Sequence, residues 1–253
     1  MEEDNNGAEA LSEFTEAVVE HFLWNLHTCI PARIIEITDY QKQKATVQPL
    51  IKERNRDAKG NAAGLQDMAF IQGVPIVFPS ANTGTITFPI KKGDIVLLIF
   101  SERSVDNFVF SDGVSPVDPD DFRKHNYTDA IAIAGLSTFS KALGIHPENT
   151  VLRMNANTGK EVKISLTPSG DLLVDSPTQV IVNATNKVEV NTKVANVNAS
   201  ESVTIDSPQT TCTGELRVDG GISVGNDVIT DAGSSANTHK HIGNLSKPTS
   251  TFI

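Results

Sequence analysis

The sequence predicts an all-β chain: a small barrel, then a narrow needle in which short strands of three copies intertwine, with a short helix in front. Three observations predict it. Leu11, Phe14, Val18, Phe22 and Leu26 recur at steps of 3, 4, 4 and 4, the stripe of one helix face. Five alternating apolar stretches lie between Ala32 and Phe110. From Ile164 onward, apolar residues come as i, i+2 pairs at a near-constant interval, with turn residues between them.

Residues 1–10 are polar and read as loose chain. Ser12 or Asn6 is able to cap the helix that follows, and Pro31 closes it. His21 and His27 lie on or near this helix beside Trp24, with no further ligand-type side chains to form a set. Strands are expected at Arg33–Ile37, Ala45–Ile51, Val74–Phe78, Gly84–Phe88 and Asp94–Phe100, the last two joined by a tight turn at Lys91–Asp94. The polar stretch Lys52–Gly64 balances Lys52, Arg54, Arg56 and Lys59 against Glu53 and Asp57, and reads as a solvated loop. Five strands in so short a span fit an OB-fold barrel. Many such barrels bind oligonucleotides through a basic face studded with aromatic side chains. None is evident here, so the barrel reads as an adaptor. Beyond it, Pro116–Asp121 is a proline- and acid-rich connector. His125 near Asp129, and His146 before Pro147, lack a companion nucleophile and read as loop histidines.

The repeat is the most informative stretch. Its pairs are Ile164/Leu166, Leu172/Val174, Val180/Val182, Val188/Val190, Ala195/Val197, Val203/Ile205 and Thr210/Cys212, at steps of 8, 8, 8, 7, 8 and 7 residues. Leu216/Val218 and Ile222/Val224 follow at steps of 6. Turn chemistry separates them at Pro168-Ser169-Gly170, Ser176-Pro177, Ser207-Pro208, Gly220-Gly221 and Gly225-Asn226. A single-chain β-helix satisfies this arithmetic. Yet each pass offers only two inward side chains, mostly Val, and one chain would keep a thin core and two open sheet ends. Three identical chains around one axis each supply a strand per level and remove those edges. A homotrimeric needle is therefore the preferred reading.

Composition bounds the function. The formal charge is −10 per chain, hence −30 for three copies, which argues against a partner that is nucleic acid. Cys29 and Cys212 read as small buried hydrophobes rather than a disulfide. The longest apolar run, Ile95–Phe100, has six residues, far below the roughly 18 needed to span a bilayer. Glu2, Glu3 and Asp4 stand where a secretory signal would be basic, so synthesis as a soluble chain in a cytosol is expected.

Taken together, the helix, the small barrel, Asp129-Ala130-Ile131-Ala132-Ile133, the narrow strand repeat and a terminal His239-Lys240-His241 form a recognisable order. That order resembles the central membrane-piercing baseplate spike of contractile-tailed bacteriophages, the phage Mu-like spike family, over residues 31–253. The resemblance implies a homotrimer at the tip of the virion's tail baseplate, its OB-fold domains docked on hub proteins. It implies that the needle is driven through the host outer membrane when the sheath contracts. It also implies an iron ion at the tip, held by the His-x-His of all three chains, a role carried here to His239 and His241 alone. Some members insert a lysozyme domain between barrel and needle. No segment of this chain has room for one, so the expected protein is not an enzyme and has no catalytic residues. The helix lies outside the common pattern. The domains expected are a helical segment at 1–30, an OB-fold hub-docking domain at 31–113, a connector at 114–160, a β-helix shaft at 161–230 and a metal-binding tip at 231–253.

In a strand, His239 and His241 share one face while Lys240 points away. Three-fold symmetry then brings six imidazoles to the axis, a set suited to an octahedral first-row ion and not to four-coordinate zinc. Iron(II) is the ion the resemblance supports; nickel and cobalt fit the chemistry. The alternative is a trimeric receptor-binding or polysaccharide-degrading tailspike. Such an enzyme needs paired carboxylates in a groove. Asp171, Asp175, Glu189, Glu201 and Asp206 are instead scattered along thin passes.

Overall fold

The computed structural model describes residues 3–24, 26–57 and 61–229. The chain divides into two units, one up to Ile181 and one from Val182 onward. Among the described residues, the first holds all the helices and strands. Helix α1 (Glu3–Trp24) is followed by strands β1 (Cys29–Asp39), β2 (Lys44–Pro49), β3 (Glu53–Arg56), β4 (Ala62–Gln66), β5 (Ile71–Val77), β6 (Ser80–Ala81), β7 (Gly84–Thr85) and β8 (Ile95–Phe100). A short helix α2 (Asp106–Phe110), then β9 (Ala130–Ala134), β10 (Thr150–Met154), β11 (Val162–Leu166) and β12 (Leu172–Asp175) complete it.

Strands β1, β2, β5, β9 and β8 close into a barrel in that order, so the all-β expectation holds for this unit. All neighbours are antiparallel except β5 and β9, which run parallel through Ile76–Ala132 and Val77–Ile133. Alternation along each strand fills the interior: Ala32 and Ile34, Ala45 and Val47, Val74 and Ile76, Val96 and Leu98, Ala130 and Ala132 are all buried. Alanine at four of these positions fits a small barrel, where branched side chains from every strand would overfill the space. Gly93 sits in the turn before β8 with φ +99°, a conformation that costs glycine little. There its N–H donates to the Ile34 carbonyl at 2.9 Å and ties the turn to β1.

The barrel's fifth strand is not the expected one. Gly84–Phe88 alternates as well as any strand in the sequence, but only Gly84–Thr85 is extended, in a two-residue ribbon with Ser80–Ala81. The fifth place goes to Ala130–Ala134, reached by a 29-residue excursion between β8 and β9. Its return is pinned electrostatically. Asp129 is fully buried, and its carboxylate meets Arg123 Nε at 3.2 Å and the Val105 N–H at 3.1 Å. Arg123 also reaches Asp121 at 3.0 Å and Ser104 Oγ at 2.6 Å, and it bonds Asp106. The Asp106 hydrogen bond above all raises the guanidinium's pKa further, so it is always charged. The Ser101 N–H donates to the Asp129 carbonyl at 2.9 Å and closes the excursion.

Three further expectations are corrected. The helix begins at Glu3, inside the stretch expected to be loose, and ends at Trp24; Pro31 lies within β1. The polar stretch supplies β3 and the start of β4, which pair antiparallel, Glu53 with Gln66 and Arg54 with Leu65. Cys29 is an exposed thiol and not a buried one; Cys212, expected to be buried only between copies, is exposed in the single chain, and both are free thiols.

Candidate functional site

Strand β12 ends at Asp175, and the repeat then continues without forming sheet. From residue 177 to 226 every residue is exposed, and from 177 to 225 no backbone–backbone hydrogen bond is made. Val182, Val190 and Val197 are 71, 74 and 76% accessible, values that leave no interior on any side. The chain is nevertheless cornered. Ser176 Oγ donates to the Gln179 carbonyl at 2.9 Å, and Ser207 Oγ to that of Gln209 at 2.6 Å, at the two corners the Ser-Pro pairs predicted. Opposite faces are chemically distinct. Lys187 bonds Glu189 while Val188 and Val190 alternate with them; Arg217 bonds Asp219 at 2.9 Å between Leu216 and Val218. Lys187 and then Asn191 hold the Glu189 carboxyl below its usual pKa by hydrogen bonding.

Such a segment cannot be stable by itself. About fifty peptide groups without backbone partners, beside an unburied apolar ladder, lack both terms that oppose chain entropy. What the geometry can do is pair with other strands that present the same pattern. The candidate site is therefore a surface, the apolar edge of the repeat from Val180 to Val224.

The histidines separate into groups. His239 and His241 lie outside the described residues. His125 is not brought onto Asp129, whose carboxylate is taken by Arg123; its N–H donates to Ser101 and its carbonyl accepts from the His27 N–H. His146 Nδ1 accepts from the N–H groups of Glu148 and Asn149 at 3.2 and 2.9 Å, a loop cap. His27 packs its ring 5.4 Å from Phe100 and 5.5 Å from Tyr127, and the Tyr127 hydroxyl donates to the Ala69 carbonyl. Among the described residues, no group of three or more His, Cys, Asp and Glu is arranged to hold a metal.

The His27–Tyr127 cluster carries a pH prediction. Burial lowers the His27 pKa, partly opposed by Glu53; burial, and then Glu53, pushes Tyr127 up to about 12. The folded barrel thus prefers neutral His27 and protonated Tyr127. Stability from His27 is complete above about pH 6.5 and is lost as pH falls from there through the folded value. Stability from Tyr127 is complete below about pH 10 and is lost as pH rises through about 12. Denaturant titrations across this range should show both flanks, and Tyr127→Phe should flatten the alkaline one alone.

Two families of known proteins match the chain. Residues 30–135, the span from β1 through β9, match the phage protein Gp138 N-terminal domain. Residues 191–244, most of the exposed ladder together with His239 and His241, match the phage spike trimer. The two matches support a phage baseplate spike family. No curated protein matches the chain. The spike match supports a homotrimer, which is what the unpaired ladder lacks. Both matches indicate a structural component of the virion. The Gp138 match ends one residue past β9, so it includes the late strand that spacing alone did not assign to the barrel.

Sequence reasoning found the ladder through its i, i+2 pairs but missed the Arg123–Asp129 cluster. The signal was available: Asp129 directly precedes the alternating Ala130–Ala134, and an acid at the mouth of a buried strand needs a cation.

Proposed function

We propose that this chain is the central baseplate spike of a contractile phage tail, a homotrimeric needle that pierces the host outer membrane as the sheath contracts. The carrying observation is the fully exposed, hydrogen-bond-deficient ladder from 177 to 225, overlapped by the spike-trimer match. Three copies wound into a β-helix give each ladder the strands and apolar cover it lacks. The barrel is the hub-docking domain. Its closed order, with a parallel contact between the third and fifth strands in sequence, supports the OB-fold assignment. The barrel domain is drawn to include β9 and so runs to Ala134, past the expected 113; the shaft is kept at 161–230 and the tip at 231–253.

The role is mechanical and not enzymatic. About ten strand passes, each advancing roughly 4.8 Å, give a needle of about 50 Å. A bilayer with its headgroups is roughly 40–45 Å thick, so the needle's reach is sufficient. The donor chemistry fits an iron ion at the point: His239 and His241 of three copies offer six neutral imidazoles and no thiolate or carboxylate. The ion would tie three chain ends together where a tapering trimer has little apolar area left to bury.

Two measurements on purified protein test this. Light scattering should give three times 27.2 kDa, and elemental analysis one iron per three chains. His239→Ala with His241→Ala should abolish the iron and leave the trimer intact, because the ladder does not depend on it. A mass of one chain overturns the trimer; a wild-type trimer without iron overturns the tip.

A further inference from the structure

Helix α1 carries two opposed stripes and buries neither. At about 100° per residue, Leu11, Phe14, Val18 and Phe22 fall on one side, and Glu9, Glu13, Glu16 and Glu20 directly across from it. From residue 9 to 24 every side chain is exposed, with Leu11, Phe14 and Phe22 at 66, 67 and 71%. The helix gains little from its own surface. It contains no Lys or Arg to pair with the glutamates, which repel one another at spacings of three and four. Most helices in proteins are stabilised by packing an amphipathic face, and here that face is left bare. The barrel takes only the flank between the stripes, where Ala17, Glu20, His21 and Trp24 line a cleft with Asn55 of β3.

We propose that the apolar stripe of α1 packs against the same stripe of two further copies, so that three helices form a parallel bundle tying the barrels together. The proposal rests on the trimeric reading above and gives a role to the element that barrel and ladder leave unused. Charge selects the occupant. Identical helices cannot offer one another opposite charges, so a self-association surface must keep its charges away from the contact. The four glutamates do lie on the far side, and the residues bordering the stripe (Ala10, Thr15, Val19 and His21) carry no carboxylate. A basic groove on another protein would be recognised by acids beside the stripe, and none stands there. Spacing agrees. Leu11 to Phe22 is three turns at about 3.67 residues per turn, so the stripes stay in contact along a nearly straight bundle with a slight right-handed coil.

Attachment brings the helices together. The His27 N–H donates to the His125 carbonyl at 3.2 Å and the Phe100 N–H to the Thr28 carbonyl at 3.0 Å, which fixes the chain to the barrel close behind the helix. Once three copies share an assembly, their three helices meet at high effective concentration. A stripe of four side chains is too short to hold free chains together at micromolar concentration. The bundle therefore depends on the ladder, and locks what the ladder has gathered.

Amide hydrogen exchange on the whole purified chain, with no other protein present, is the test. Amides of residues 11–22 should exchange about a hundredfold or more slower than in unfolded chain, and Phe14→Asp should abolish that protection with the trimer mass unchanged. Glu16→Lys, on the far side, should retain it. In protein carrying Cys29→Ser and Cys212→Ser, Leu11→Cys or Val18→Cys should give a disulfide-linked two-chain species on mild oxidation, and Glu16→Cys should not. A trimer whose helix amides exchange freely overturns the bundle, since the stripe then awaits a different protein. Protected amides without a cross-link from either Leu11→Cys or Val18→Cys also overturn it, since the helix then lies on its own barrel. Both results leave the trimer standing. A parent protein with the mass of one chain overturns the trimeric reading itself.

Discussion

Full-length protein carrying Val188→Asp together with Val203→Asp is expected to elute as a single chain of 27.2 kDa at micromolar concentration. Both positions belong to the apolar ladder, and both are exposed only because one chain cannot cover them. In a three-fold needle each substitution places three carboxylates near one axis. Removing a charge from water without a partner costs several kcal/mol, and like charges in a narrow space add to that. Six such groups exceed what a thin valine core returns at roughly 25 cal/mol per Å². Charges on the outward face should behave differently. Glu201→Lys changes the formal charge by two units, as does each Glu-to-Lys exchange, but at a solvated position, and should leave the trimer mass unaltered. Light scattering separates the two results. A trimer that survives the double substitution means that these valines do not face the axis.

Arg123→Ala is the second large effect, and it acts on the barrel. It leaves Asp129 fully buried with the Val105 N–H as its remaining polar contact from the cluster, and it removes the bonds to Asp121, Asp106 and Ser104. Breaking a buried ion pair from one side typically costs about 3–5 kcal/mol. Arg123 is itself partly solvated, so the loss should lie at the lower end, about 3 kcal/mol. Asp129→Asn added to Arg123→Ala should restore part of it, because the amide oxygen keeps the Val105 bond without a charge to desolvate. Urea unfolding followed at the barrel is the measurement. Two variants of equal stability would show that no net charge is trapped at this site. The expected failure is local: the return of residues 101–129 loosens and β9 leaves its place between β5 and β8.

How much of this was legible in the sequence differs between the two regions. The ladder was legible because its signal is local: an i, i+2 apolar pair, a turn, and the same again, with Ser-Pro corners that the structure closes by side-chain hydrogen bonds. The barrel was legible as five strands and a class but not as a list. Gly84–Phe88 and Ala130–Ala134 alternate equally well, and alternation says only that a segment suits a pleated surface. The β3–β4 pair was hidden for the opposite reason. Its residues are polar, and pairing of Glu53 with Gln66 and Arg54 with Leu65 needs no buried face to announce it. For His239 and His241 the pattern alone supports the reading, and iron analysis is the test.

What the sequence determined by itself was the repeat, its turns, and the need for more than one chain, because burial demand follows from side-chain chemistry and spacing. Only the tertiary structure decided which strand closes the barrel, and that α1 keeps its apolar stripe bare. Both depend on contacts between residues distant in the chain, Asp129 with Val105 and His27 with His125 among them. Periodicity measures which side chains share a face; it carries no information about what that face will meet.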